Sequence, residues 1–89
     1  MAEPYLLEHS KRAAKIFHKM EKKDKKQLEA IRNKLLGIIA EPYKFKPLGV
    51  PMHGMRRVHI GSFVLTYSID EATHTVIVED YAHHDEIYG

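Results

Sequence analysis

The spacing of apolar residues changes once along this chain of 89 residues, and the change divides it into a helical part and a sheet-forming part. Up to Ile39, apolar side chains recur every three or four positions. After Gly54 they recur at every second position. The stretch between them, Tyr43 to Gly54, carries Pro47, Gly49, Pro51 and Gly54 and has no period, which marks a loop. In the first part, Ala13, Ile16, Phe17 and Met20 form one helical stripe, and Leu28, Ile31, Leu35, Ile38 and Ile39 form a second. Ser10 is placed to cap the first helix. Asp24 is placed to cap the second, with Gln27 three residues on as in a capping box. Glu41-Pro42 ends the second helix, because the residue before a proline is pushed out of the α region. About three residues separate the helices, which predicts an antiparallel hairpin.

The period of two begins with Arg57, Val58, His59 and Ile60, followed by a tight turn at Gly61-Ser62. Phe63, Leu65, Tyr67 and Ile69 then alternate with Val64, Thr66 and Ser68. Asp70 to Thr73 makes a second turn, and a last strand runs from Thr75 to Ala82. A short apolar run at Tyr5-Leu6-Leu7 reads as a first strand. The order is β-α-α-β-β-β. It predicts an α+β fold, with a helical hairpin packed on one face of an antiparallel sheet. Residues 1–89 are expected to form a single domain, since a chain this short does not divide into two.

Composition narrows the chemistry. No cysteine is present, which removes disulfides, thiolate nucleophiles and zinc sites built on thiolates. No apolar run approaches the ~18 residues of a membrane span, and the first residues lack the basic and apolar regions of a secretory signal. The expectation is a cytoplasmic protein. The net charge of +2 hides a sharp partition. All 14 basic residues lie at or before Arg57, where six acids leave a formal +8. After Arg57 there are six acids and no Lys or Arg. Such a molecule presents fields of opposite sign on its surface.

Seven histidines supply the groups that titrate near neutral pH. His9, His18 and His74 fall at positions expected to be solvated. His59 stands two residues from Arg57 on a strand, so both side chains share a sheet face, while Val58 and Ile60 point the other way, toward the helices. Ser62 and Tyr67 are further candidates for that open face. The ending His83-His84-Asp85-Glu86-Ile87-Tyr88 follows the last strand directly, and Ile87 and Tyr88 are suited to dock it. Adjacent histidines with one Asp lack the spacing of a metal motif, so no metal or other cofactor is expected. Arg57 beside an imidazole pair, bordered by Lys44 and Lys46, can bind a phosphate and move protons. That set suffices for RNA cleavage, in which a base activates the 2′-OH and an acid protonates the leaving 5′-oxygen.

The passage "KPLGVPMHGMRRVHIGSFVLTYSID", the ending "HHDEIY" and the element order together resemble the RelE/ParE superfamily of toxins from toxin–antitoxin pairs, over nearly the whole chain. The resemblance is nearest to the YafQ-like branch, whose "HI…VLIY" matches His59 to Tyr67. That branch's closing His and aromatic match His84 and Tyr88. It implies a type II toxin that acts as a ribosome-dependent endoribonuclease on mRNA, inhibited by a cognate antitoxin that wraps it. By this resemblance His59 and His84 are acid/base residues, Tyr88 places the substrate base, and Arg57 matches a basic residue on the second strand. Lys11, Arg12, Lys15, Lys19, Lys44, Lys46 and Arg56 are the expected RNA-binding set. Val64 stands where many members place a catalytic Arg, and Ser62 where the YafQ-like branch has Asp. Two alternatives share the fold. One is a ParE-type toxin acting on DNA gyrase, against which the paired-histidine ending argues. The other is a RelE-like binding protein with weakened catalysis.

Overall fold

A computed structural model of the chain describes residues 3–45 and 54–88. It contains β1 (Leu6–His9), α1 (Lys11–Lys23), α2 (Lys25–Ala40), β2 (Met55–Ile60), β3 (Phe63–Asp70), β4 (Thr75–His83) and a short α3 (His84–Tyr88). The two long helices pack on one face of a four-stranded sheet of order β1-β4-β3-β2. The expected α+β architecture is present, with one refinement. β2, β3 and β4 form the antiparallel meander, but β1 joins β4 in parallel, so the sheet is mixed.

The helix caps follow the sequence, in part. The Ser10 hydroxyl accepts from the Ala13 amide at 3.0 Å, and the Asp24 carboxylate accepts from the Gln27 amide at 3.0 Å. The capping box closes on one side only. The Gln27 side-chain amide donates instead to the Tyr81 hydroxyl at 2.6 Å, tying α2 to β4. The helices are closer in sequence than the expected three residues, because Asp24 alone separates them and serves as the C-cap of α1 as well as the N-cap of α2. α2 ends at Ala40, one residue before Glu41-Pro42.

The core is drawn from both periodic sets. Ala13, Ile31, Leu35 and Ile38 from the helices meet Val58, Leu65, Tyr67, Val76, Val78 and Tyr81 from the sheet. The register explains which strand residues share that face. Val58 lies opposite Leu65, which lies opposite Tyr81, and Tyr67 lies opposite Val78. A bulge after Thr66 places Glu79 as an extra residue in β4. The Ser10 hydroxyl donates to the Glu79 carbonyl at 2.7 Å there, which anchors the start of α1 to β4. Tyr67, named above as a candidate for the open face, is instead fully buried among the core residues. Its hydroxyl donates to the Pro42 carbonyl at 2.6 Å, and burial pushes its pKa up to about 12.

Candidate active site

The face of the sheet away from the helices is set by the same register. His59 pairs with Val64, and Val64 with Ala82. Arg57 pairs with Thr66. Directly paired residues point to the same side, so these five share a face. The chain leaves β4 at His83 and turns at once into α3, which lies against β3 and β4. The turn is fixed by the His84 amide donating to the Ser62 carbonyl at 2.8 Å. It brings the His84 ring over to His59, with ring centroids 5.8 Å apart and planes inclined by 32°. Val64 and Ala82 are buried although they face away from the helices. The two imidazoles therefore meet on a partly covered apolar floor.

His83 goes the other way. Its partner in the ladder is Phe63, and the two rings meet edge-on at 5.4 Å. Phe63 in turn stacks on Tyr81 at 5.2 Å. Only one member of the adjacent histidine pair thus reaches His59. Asp85 lies between the two, 3.7 Å from the Nδ1 of each.

A cavity of about 290 Å³ opens beside His59, lined by Lys44, Phe45, Arg57, Val58 and His59. Its position places the loop residues 44 and 45 along the outer edge of β2, where the sheet ends. Arg56 does not face this cavity. It pairs with Tyr67 across the ladder, on the helix side. Its guanidinium donates to the Phe45 carbonyl at 2.6 Å and to the Tyr43 carbonyl at 3.4 Å, and lies 5.0 Å from the centre of the Tyr43 ring. Of the residues expected to bind RNA, Lys11, Arg12, Lys15 and Lys19 are exposed on α1, and Arg12 also pairs with Asp80 at 3.1 Å. Lys44 is exposed, within 4.0 Å of Glu41. Lys46 and the Tyr88 side chain lie outside the described residues.

Two elements of the site had no signal in the sequence. Phe45 lies in the stretch without periodicity, so nothing marked it as the wall of a cavity. Glu71 sits beside Asp70 in a turn with nothing to single it out, yet it accepts hydrogen bonds from Tyr43 and, at 2.9 Å, from Tyr5. Those bonds hold its carboxyl below the usual range and push the Tyr43 pKa up to about 12. Glu71 thus ties the loop after α2 to the entry of β1 and to the turn before β4. His74 closes this cluster by stacking on Tyr5, with ring centroids 3.7 Å apart. His9, against Phe17, has its pKa lowered by burial.

The chain has counterparts in sequence and in fold. Residues 7–88 match the model of the ParE toxin of the type II toxin–antitoxin system parDE. An uncharacterized protein of Methanosarcina mazei is 51% identical over 73 residues, covering 81% of this chain and 85% of its own length. A Methanocaldococcus jannaschii protein named for toxin RelE4 is 47% identical over 75 residues, covering 83% of this chain and 80% of its own. Among solved structures, the RelBE2 toxin–antitoxin complex of Mycobacterium tuberculosis contains a chain of the same fold, with a TM-score of 0.77 at 25% identity. The match covers 91% of this chain and 99% of that one. The fold is shared with YafQ of E. coli as well, at a TM-score of 0.65 and 21% identity over 93% of this chain and 97% of that one. With nearly all of its length matched by the family model and two relatives close to half identical, the chain belongs to the RelE/ParE family of toxins from type II toxin–antitoxin systems.

Proposed function

We propose that this toxin is a ribosome-dependent endoribonuclease that cleaves mRNA by acid–base chemistry at His59 and His84, and that a cognate antitoxin holds it inactive. The observation that carries the reading is the meeting of those two imidazoles, 5.8 Å between ring centroids, on the sheet face that also bears Arg57. One imidazole accepts the proton of the ribose 2′-OH. The oxygen attacks the adjacent phosphorus, and the bond to the 5′-oxygen breaks. The other imidazole donates the proton that this leaving oxygen needs. The products are a 2′,3′-cyclic phosphate and a 5′-hydroxyl end, so no water is consumed. A cation beside the phosphorus stabilises the charge that builds on its oxygens, and Arg57 is the candidate. With valine at position 64, more of that work falls to Arg57 on β2. The antitoxin partner is supported by the RelBE2 complex, in which the matching chain is bound to its antitoxin.

Induction in a bacterial host tests the reading. Wild-type protein should arrest growth and leave mRNA cut within coding regions. His59→Ala or His84→Ala should lower the cleavage rate by about 10²–10⁴-fold, with the melting temperature nearly unchanged. Growth arrest with intact mRNA would overturn the nuclease reading. If that arrest is also indifferent to both substitutions, it points to the alternative of a ParE-type toxin acting on DNA gyrase.

A further inference from the structure

The segment of chain after α2 is held from several sides, and its fastening is out of proportion to a simple connection. Tyr67 donates to the carbonyl of Pro42, Arg56 donates to the carbonyls of Tyr43 and Phe45, and Glu71 accepts from the Tyr43 hydroxyl. The Arg56 guanidinium also lies against the Tyr43 ring. All of these groups approach from the helix side of the sheet or from its end. What they fix in place is Lys44 and Phe45, which line the cavity next to Arg57 and His59; Phe45, only partly buried, also packs against the core. An arginine whose Nη1 donates to two backbone carbonyls fixes the path of the chain between them.

The cavity, at about 290 Å³, is near the lower end of ligand-sized clefts. Its lining residues include an aromatic, two cationic residues and a histidine. A ring offers stacking to any base, and cations offer charge to a phosphate. We infer that this cavity receives the nucleotide next to the scissile phosphate, with its base against Phe45 and its phosphate between Lys44 and Arg57. Arg56 acts as a positioning residue that holds the wall in place. The inference rests on the nuclease reading above and adds a second aromatic contact to the one expected of Tyr88. It also removes Arg56 from the set that touches RNA. Since stacking is available to every base, the subsite contributes affinity and register, and base choice arises elsewhere.

The test uses single-turnover cleavage of an mRNA on programmed ribosomes, followed over a range of protein concentrations. Phe45→Ala should raise the half-saturating concentration about tenfold, the loss expected when one base loses its aromatic partner. The rate at saturation should stay within about threefold of wild type, as for lost uniform binding. Phe45→Trp, which keeps a stacking face, should recover most of the loss. Arg56→Ala should reproduce the Phe45→Ala effect, and the double variant should be no weaker than Phe45→Ala alone, because both act through one contact. Melting curves for each variant separate these effects from misfolding. Wild-type saturation by Phe45→Ala overturns the inference. So does a folded Phe45→Trp as weak as the alanine variant, or a double variant whose losses multiply. A wild-type protein that leaves the mRNA intact removes the nuclease reading and this one together. Cleavage indifferent to Phe45 removes this one alone.

Discussion

Single side chains in this molecule carry two tasks where the sequence suggests one. Tyr67 is the clearest case, since alternation along β3 shows that Leu65 and Tyr67 share a face but does not say which face meets the helices. It was a candidate for the open side. The register with Val58 and Val78 puts it in the core, where the oxygen is satisfied by the Pro42 carbonyl. Tyr67→Phe therefore leaves a carbonyl short of its donor in a buried place, at a cost of about 1–2 kcal/mol. Thermal unfolding should show a fall of roughly 5–15 °C for a domain of this size. A change under 2 °C would mean that water replaces the hydroxyl. Burial holds the folded Tyr67 protonated to about 12, whereas an exposed tyrosine ionises near 10. Below pH 10 the folded and unfolded states both keep the proton, and stability is unaffected. Between about pH 10 and 12 only the unfolded state loses it, so stability falls as pH rises. Denaturant titrations across that interval should show the decline, and Tyr67→Phe should make it shallower. Tyr43, Tyr5 and Tyr81, whose pKa values are also raised, leave a remainder.

At the level of elements, the two capping residues differ in what they hold. Asp24 accepts from Gln27 and does nothing comparable for the sheet. Ser10 accepts from Ala13 and donates to the Glu79 carbonyl at the β4 bulge. Asp24→Ala should cost about 1 kcal/mol, an ordinary cap. Ser10→Ala should cost about 2 kcal/mol, because a carbonyl of the sheet is orphaned as well. Equal losses in paired urea titrations would reject the second role. The hairpin and the meander were legible because each rests on local periodicity, caps and turns. The parallel seat of β1 was not. Leu6 to His9 is a short exposed strand whose partner lies in the last quarter of the chain, and no local pattern reports a partner that distant. The site divides the same way. Arg57 and His59 were readable as a same-face pair from their spacing. The meeting of His84 with His59 came from the family resemblance, and its geometry depends on one backbone bond from His84 to Ser62. The clamp on Lys44 and Phe45 had no sequence mark at all, since the groups that make it come from β2, β3 and the turn after Asp70.

Over the whole molecule, the charge partition places lysines and acids on different elements. The exposed lysines of α1 lie on the helical side, and the acids Glu79, Asp80, Asp85 and Glu86 lie on β4 and α3. Arg12 and Asp80 join the two territories. Under the proposed function, the helical side meets RNA phosphates and its affinity falls steeply with salt. Ribosome co-sedimentation should drop between low and high salt, and Lys15→Glu with Lys19→Glu should weaken it and flatten the salt slope without moving the melting temperature. Retention that is constant across salt excludes that surface. The parallel pairing of Leu6 with Thr75 has a consequence for synthesis. A chain growing on the ribosome can form its helical hairpin early, but β1 has no neighbour until β4 emerges, and β4 is also the strand from which His84 departs. Any product interrupted before Thr75 lacks an inner strand of the sheet and one of the two imidazoles. Under the proposed function, a cut in its own message ahead of Thr75 would thus release fragments unable to cut another.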